Sequence, residues 1–298
     1  PRGSRQARAL SAPRSTPFPR LTDERGPLPV STTTPTAQNS LQYRISDVSH
    51  TFPGTDFQAL QNISLDIRPG SFVSFIGPSG CGKSTLLNAM AGLLSPTEGN
   101  ITIDNRTVDG PPDGVGIMFQ RATLLPWRTT LENILLPIEI DSGVKAARER
   151  EEEARSIIDT VGLAGFENAY PGELSGGMAQ RAAICRMLIT QPDVLLLDEP
   201  FGALDELTRE RMDMELQSIA LSRNATVVLV THSIPEAVFL SDTVYAMSAR
   251  PGRISEVINI DLPRPRNIDT MAQTEFANYV GQVRTALNRG HGVNDDNH

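Results

Sequence analysis

The chain has 298 residues, 39% hydrophobic and 21% charged, which suits one large globular domain or two small ones with a sizeable core. Its formal net charge of −8 divides into +4 over residues 1–40 and −12 over the rest, and so acidic a body argues against a nucleic-acid partner. No apolar run approaches the roughly 18 residues that a membrane helix needs, and two cysteines, Cys81 and Cys185, make no disulfide framework, which suits a reducing compartment.

Residues 1–40 are rich in Pro, Ser, Thr and Arg and lack apolar periodicity, the mark of a disordered tail. Their Arg-rich character also fits a targeting segment, and Pro1-Arg2-Gly3-Ser4 reads equally as a tag remnant. From Leu41 the pattern changes. Leu41–Val48 and Ile63–Ile67 read as strands, with a Pro53-Gly54 turn between them. Phe72–Ile76 is a continuous apolar run, as expected of a buried central strand, and Ser84–Leu94 has helical periodicity. Ile101–Ile103 and Val115–Phe119 are further predicted strands.

Between about 128 and 191 the pattern is helical. Val144–Val161 puts Ala147, Ala154, Ile158 and Val161 on one face, with Arg148/Glu152 and Glu151/Arg155 paired outside at i,i+4. Val194–Leu197 and Val227–Val230 are again buried-strand runs, and Thr243–Met247 with Glu256–Ile260 forms a hairpin around Pro251-Gly252. A helix near Met271–Leu287 precedes a polar tail.

Chemistry concentrates at the strand ends. Gly77–Thr85 reads G-P-S-G-C-G-K-S-T, which matches G-x-x-x-x-G-K-[S/T] between a buried strand and a helix. Glycines let the backbone curl so that its N–H groups face an anion, and the following helix adds the positive end of its dipole. Gly77, Pro78, Ser79, Gly80, Cys81, Gly82, Lys83, Ser84 and Thr85 are therefore expected to hold a nucleotide's phosphates. Lys83 is expected to reach the β- and γ-phosphates and Ser84 to ligate Mg²⁺. Cys81 inside the loop suggests sensitivity to thiol reagents.

Val194–Pro200 reads V-L-L-L-D-E-P, which sets Asp198 and Glu199 at a strand's carboxyl end, where open α/β sheets bind ligands. Asp198 suits Mg²⁺ and Glu199 suits an attacking water. Leu174–Arg181 reads L-S-G-G-M-A-Q-R, and Ser175, Gly176 and Gly177 there open a second anion-binding helix start. A chain with one phosphate loop and a second such helix start suggests two copies sharing nucleotide across an interface.

These motifs together resemble the ATP-binding subunit of an ABC transporter over about residues 41–262, with the phosphate loop, Gln120, the signature Leu174–Arg181, Val194–Glu199, Ala203-Leu204-Asp205 and His232 in family order. Met178 stands where the family often has Gln. Leu125-Pro126-Trp127-Arg128, Glu199-Pro200-Phe201-Gly202-Ala203-Leu204-Asp205 and Ala249-Arg250-Pro251-Gly252-Arg253 resemble the ATPases of importers of nitrate, alkanesulfonates, taurine and related small compounds.

The resemblance implies an α/β P-loop NTPase core, a mixed sheet with an antiparallel β subdomain, plus a helical subdomain over about 128–191 and a C-terminal helix and tail over 263–298. It implies ATP and Mg²⁺ as ligands, with Phe52 (or, less well placed, Tyr43) as the adenine platform and Gln120 on Mg²⁺. Glu199 and His232 would be catalytic beside Lys83, and Ser175–Gly177 and Asp205 would act across a head-to-tail dimer. Expected partners are a second copy, a membrane permease docking at Leu124–Leu136, whose Leu124, Leu125, Trp127 and Ile134 could equally be core, and a solute-binding protein. The expected location is peripheral, on the cytoplasmic face of the inner membrane. The alternative is a non-transport ABC ATPase serving as a mechanical signalling subunit of a cell-envelope complex.

Overall fold

A computed structural model describes residues 42–291. The expected tail over 1–40 and the end of the polar C-terminal tail, 292–298, lie outside the described residues. In chain order come β1 (Tyr43–Thr51), β2 (Gln58–Ile67), β3 (Phe72–Ile76) and helix α1 (Lys83–Met90). Next are β4 (Glu98–Ile103), β5 (Arg106–Thr107), β6 (Val115–Met118), α2 (Thr130–Glu149), α3 (Glu151–Thr160) and α4 (Gly176–Leu188). Strand β7 (Val194–Asp198), α5 (Glu206–Arg223), β8 (Thr226–Thr231), α6 (Ile234–Leu240), β9 (Thr243–Ser248), β10 (Arg253–Asn259), α7 (Ile268–Met271) and α8 (Thr274–His291) follow.

Two sheets form. One is antiparallel in the order β2-β1-β4-β5; the other runs β10-β9-β3-β8-β7-β6 and is parallel except for its edge strand β10. Every residue of β3, β7 and β8 is buried, which explains their uninterrupted apolar runs. Alternate residues divide between two cores. Phe72, Ile76, Leu195, Leu197, Val227 and Leu229 join the helices, whereas Val73, Phe75, Leu196 and Val228 join α1 and the antiparallel sheet. The order β3-β8-β7 has a functional consequence. Ile76 is level with Thr231, and Asp198 with Val230, so the loops after these strands leave the sheet side by side.

The expected helix over Val144–Val161 is two helices. The first begins much earlier, at a capping box in which the Thr129 hydroxyl accepts from Glu132 N at 3.3 Å and the Glu132 carboxylate accepts from Thr129 N at 2.8 Å. Gly143 interrupts it at φ 87°, and Arg150 separates it from α3. Arg150 reaches the Ile189 carbonyl, 2.9 Å away, and pairs with Glu153, which pins the break to the end of α4. Glu151 and Arg155 do meet, at 3.9 Å, but Arg148 and Glu152 lie on opposite sides of that break. Ala147, Ala154, Ile158 and Val161 all reach the core.

Helix α1 stops at Met90 rather than Leu94, because Gly92 turns the chain at φ 69°. Toward the C-terminus, buried Arg266 donates to the carbonyls of Val238, Phe239 and Ser241 at 2.8–3.0 Å and satisfies the end of α6. The expected helix near Met271–Leu287 divides into α7 and α8, and Phe276, Val283 and Ala286 of α8 pack into the core.

Candidate functional site

Residues 77–82 lead from β3 into α1 as a tight loop. A side chain at Gly82, where φ is 91°, would meet Ala59 O at 2.7 Å, and one at Gly77 would meet Met247 O at 2.7 Å. The loop is thus wedged between the start of β2 and the end of β9. Ser79, Gly80 and Ser84 face solvent, Pro78 and Thr85 are half-buried, and Lys83 is only 7% exposed. The Lys83 ammonium is bent back across the loop, donating to Gly77 O at 2.8 Å and Pro78 O at 2.9 Å. Its expected reach toward phosphates therefore begins from a cation already held over the nest. Cys81 departs from expectation. It is fully buried, and burial pushes its thiol pKa up more than nearby Lys83 lowers it, which disfavours the reactive thiolate.

Asp198 ends β7, 9% exposed. Burial raises its carboxyl pKa and Glu199 adds to the rise, while a hydrogen bond from Ser84 and the charge of Lys83 oppose it. Ser84 and Asp198 are hard oxygen donors, the type Mg²⁺ takes. No cluster of three or more His, Cys, Asp or Glu suited to a metal occurs among the described residues, so a cation here would complete its shell from phosphate and water. The residues therefore fit Mg²⁺ bound together with a nucleotide.

Glu199 turns the chain at φ 46°, a conformation few non-glycine residues adopt, and its N–H is anchored to Val230 O at 2.9 Å. Its carboxylate has two partners: Gln120 Nε2 donates to Oε2 at 3.1 Å, and His232 Nδ1 lies 3.4 Å from Oε1. Gln120, Glu199 and His232, drawn from three separate loops, thus converge on one carboxylate. In this geometry the Gln120 side chain contacts Glu199.

Sequence reading missed the layer below. Glu236 accepts from the Thr231 hydroxyl, which itself accepts from Ser233 N at 3.0 Å, and these bonds brace the His232 turn. Asp213, 2% exposed, lies close enough for mutual repulsion; burial first, then Glu236, push its carboxyl up to about 9, against the pull of Arg209. Asp213 thus stays protonated in the folded chain where the unfolded chain ionises. Folded protein binds the extra proton between about pH 4 and about pH 9, so this group's stabilisation is greatest at the acid end and is lost as pH rises through that window. Asp213→Asn, a neutral isostere, is expected to flatten this decline and raise the urea midpoint at pH 8 relative to pH 5. An unchanged slope between pH 5 and pH 8 would refute the assignment.

Ser175 caps α4, its hydroxyl accepting from Met178 N at 3.3 Å, so Met178 contributes backbone where the family often has Gln. A side chain at Gly177 would strike Leu204 at 2.6 Å, and Gly176 faces Ala203. Asp205 caps α5 by accepting from Thr208 N at 3.0 Å, and hydrogen bonds from Thr208 hold its pKa low.

Phe52 stands edge-on to His50 at 4.9 Å and stacks with Phe57 at 6.1 Å. Phe57, half-exposed, was not anticipated, since no periodicity marks it. Tyr43 is eliminated as a base platform, being fully buried with its hydroxyl donating to Met90 O at 3.0 Å. Within the expected docking segment most of the apolar side chains take the core alternative. Ile134 is wholly buried, Leu124 packs on the core and Leu125 is half-buried, because buried Asn133 gathers the Leu125, Arg128 and Thr129 carbonyls at 2.9–3.1 Å. Trp127 alone of the four projects outward, 70% exposed.

Comparison with known proteins gives the family. The ABC transporter family profile matches residues 60–202. An uncharacterized ABC transporter ATP-binding protein of Methanocaldococcus jannaschii is 48% identical over 79% of this chain and 86% of its own length. The taurine import ATP-binding protein TauB of Rhizobium johnstonii is 45% identical over 78% of this chain and 90% of its own. Among solved structures, the dimeric post-hydrolysis state of the ATP-binding cassette MJ0796 bound to ADP and Pi superposes with a TM-score of 0.68 at 33% identity, covering 74% of this chain and all of that one. With relatives this close along most of its length and a phosphate loop beside a carboxylate that Gln120 and His232 approach, the chain belongs to the ABC transporter ATP-binding family and is an ATPase.

Proposed function

We propose that the chain is the ATP-hydrolysing subunit of an importer, working as a head-to-tail pair with a second copy and driving a separate membrane permease. The observation that carries this is the convergence of Gln120 and His232 on Glu199 beside the phosphate loop. Glu199 accepts the proton of the attacking water. Gln120 and His232 hold the carboxylate's two oxygens, and His232 also faces the γ-phosphate. Lys83 and the loop N–H groups of 77–85 grip the phosphates, and Phe52 stacks on adenine. Ser84 and Asp198 would hold Mg²⁺, which when bound supplies charge neutralisation of the phosphates. Positioning of this kind is most of what phosphoryl transfer requires.

Ser175, Gly176 and Gly177 of each copy face the nucleotide held by the other, with Asp205 at the seam. The dimeric MJ0796 structure supports such pairing. The domain boundaries follow the same reading: an ATPase domain over 41–262 with its helical subdomain at 128–191, then a C-terminal helix and tail. Cargo of the nitrate, sulfonate or taurine class fits the Leu125–Arg128 and Ala249–Arg253 stretches and the name of the TauB relative. A solute-binding protein would deliver the cargo, and the chain would sit on the cytoplasmic face of the inner membrane.

Docking centres on Trp127, and Ile140 and Val144 on α2 are exposed as well. Reconstitution of the chain with its co-purifying membrane subunit in vesicles tests the reading. ATP-driven solute uptake is expected, and Trp127→Ala is expected to cut it at least roughly tenfold, as for a buried aromatic anchor. Uptake without ATP, or undiminished by Trp127→Ala, would contradict it.

A further inference from the structure

Gln180 lies on α4, 5% exposed, just past the helix start that carries Ser175–Gly177. Both ends of its amide are engaged. Nε2 donates to the Gln120 carbonyl at 3.2 Å, and Oε1 accepts from the Ala203 N–H at 3.2 Å. The partners fix the amide's orientation, because a carbonyl only accepts and a backbone N–H only donates. The two bonds complete a ring. The Gln120 side chain holds Glu199, the Gln120 backbone is held by Gln180, Gln180 holds Ala203, and the turn between them closes as Gly202 N donates to Glu199 O at 3.2 Å. A second α4 side chain reinforces the same segment: Arg186 donates to the Ala122 and Thr123 carbonyls, each at 2.9 Å.

We infer that Gln180 is a positioning residue for Glu199, and that through it the helix start facing one nucleotide sets the geometry of the carboxylate serving the other. The inference rests on the site reading given above. A displacement of α4 on engaging the partner's phosphates would move the Gln120 backbone and the Ala203 turn together, and with them both supports of Glu199. Gln180 is buried and both ends of its amide are taken by protein partners, so its loss is expected to fall on turnover and cooperativity rather than on binding.

The apolar variant Gln180→Leu and the isosteric variant Gln180→Glu test this. Gln180→Leu removes both bonds. Its kcat is expected to fall roughly tenfold or more, with the ATP Kd within about twofold of the parent and the Hill coefficient dropping from about 2 toward about 1. Gln180→Glu keeps an acceptor for Ala203 but, when ionised, offers the Gln120 carbonyl no donor. A buried glutamate has a raised pKa, so lowering the pH from 8 to 6 protonates it and restores a donor. Activity of Gln180→Glu relative to the parent at the same pH is therefore expected to recover as the pH falls, which a merely structural role would not produce. Amide hydrogen exchange at Ala203, measured without nucleotide, is expected to accelerate in Gln180→Leu.

Turnover and cooperativity of Gln180→Leu within twofold of the parent would overturn the inference. So would a Gln180→Glu profile parallel to the parent's, which decides the matter even if Gln180→Leu fails to fold. A parent without ATPase activity would defeat the site reading, whereas unchanged exchange at Ala203 would defeat this coupling alone.

Discussion

Glu199→Gln is expected to abolish steady-state ATP hydrolysis while leaving ATP binding intact. The amide has the carboxylate's shape and keeps a carbonyl oxygen to accept from Gln120 Nε2, now 3.1 Å from the Glu199 carboxylate. It cannot take a proton from water. General-base assistance contributes roughly 10²–10⁴-fold, and kcat is expected to fall by about that factor. The ATP Kd, measured by equilibrium binding, is expected to stay within about threefold, a shift well under one tenfold step in affinity. Hydrolysis by Glu199→Gln at the parental rate would show that another group activates the water.

Lys83→Ala is expected to act on the other half of the reaction. The buried ammonium satisfies the Gly77 and Pro78 carbonyls and is the one cation built into the loop sequence itself. Charged hydrogen bonds contribute about 1.5–3 kcal/mol, so the ATP Kd is expected to rise by roughly 10–100-fold. Lys83→Arg keeps the charge but must place a larger, planar group in a nearly closed slot, and it is not expected to restore affinity. Unchanged ATP affinity in Lys83→Ala by calorimetry would remove the phosphate-loop assignment.

The legible parts of this molecule were those written in short-range pattern. Phe72–Ile76, Val194–Leu197 and Val227–Val230 are buried on both faces, so their composition alone marks central strands. The phosphate loop was legible because glycine spacing and one lysine are local requirements. What escaped depended on contacts distant in sequence. The break at Arg150 is pinned by Ile189, 39 residues on. The chain reads as helical from about residue 128, but the only helix predicted there begins at Val144, because Pro137 and Gly143 interrupt the periodicity of α2. Ile134 reads equally as docking face or core because an amphipathic segment does not reveal which side its neighbours cover. Gln180, Asp213 and Glu236 were invisible as functional supports, since a lone polar residue on a helix acquires a role only from the loops that fold against it.

The most direct test of the central idea, that two copies close on ATP at their seam, is the solution mass of Glu199→Gln by sedimentation velocity with and without MgATP. Doubling of the mass on adding MgATP, reversed when Ser175→Arg places a bulky side chain at the α4 start, is the expected result. A Glu199→Gln chain that binds ATP and remains monomeric at saturating MgATP would contradict it.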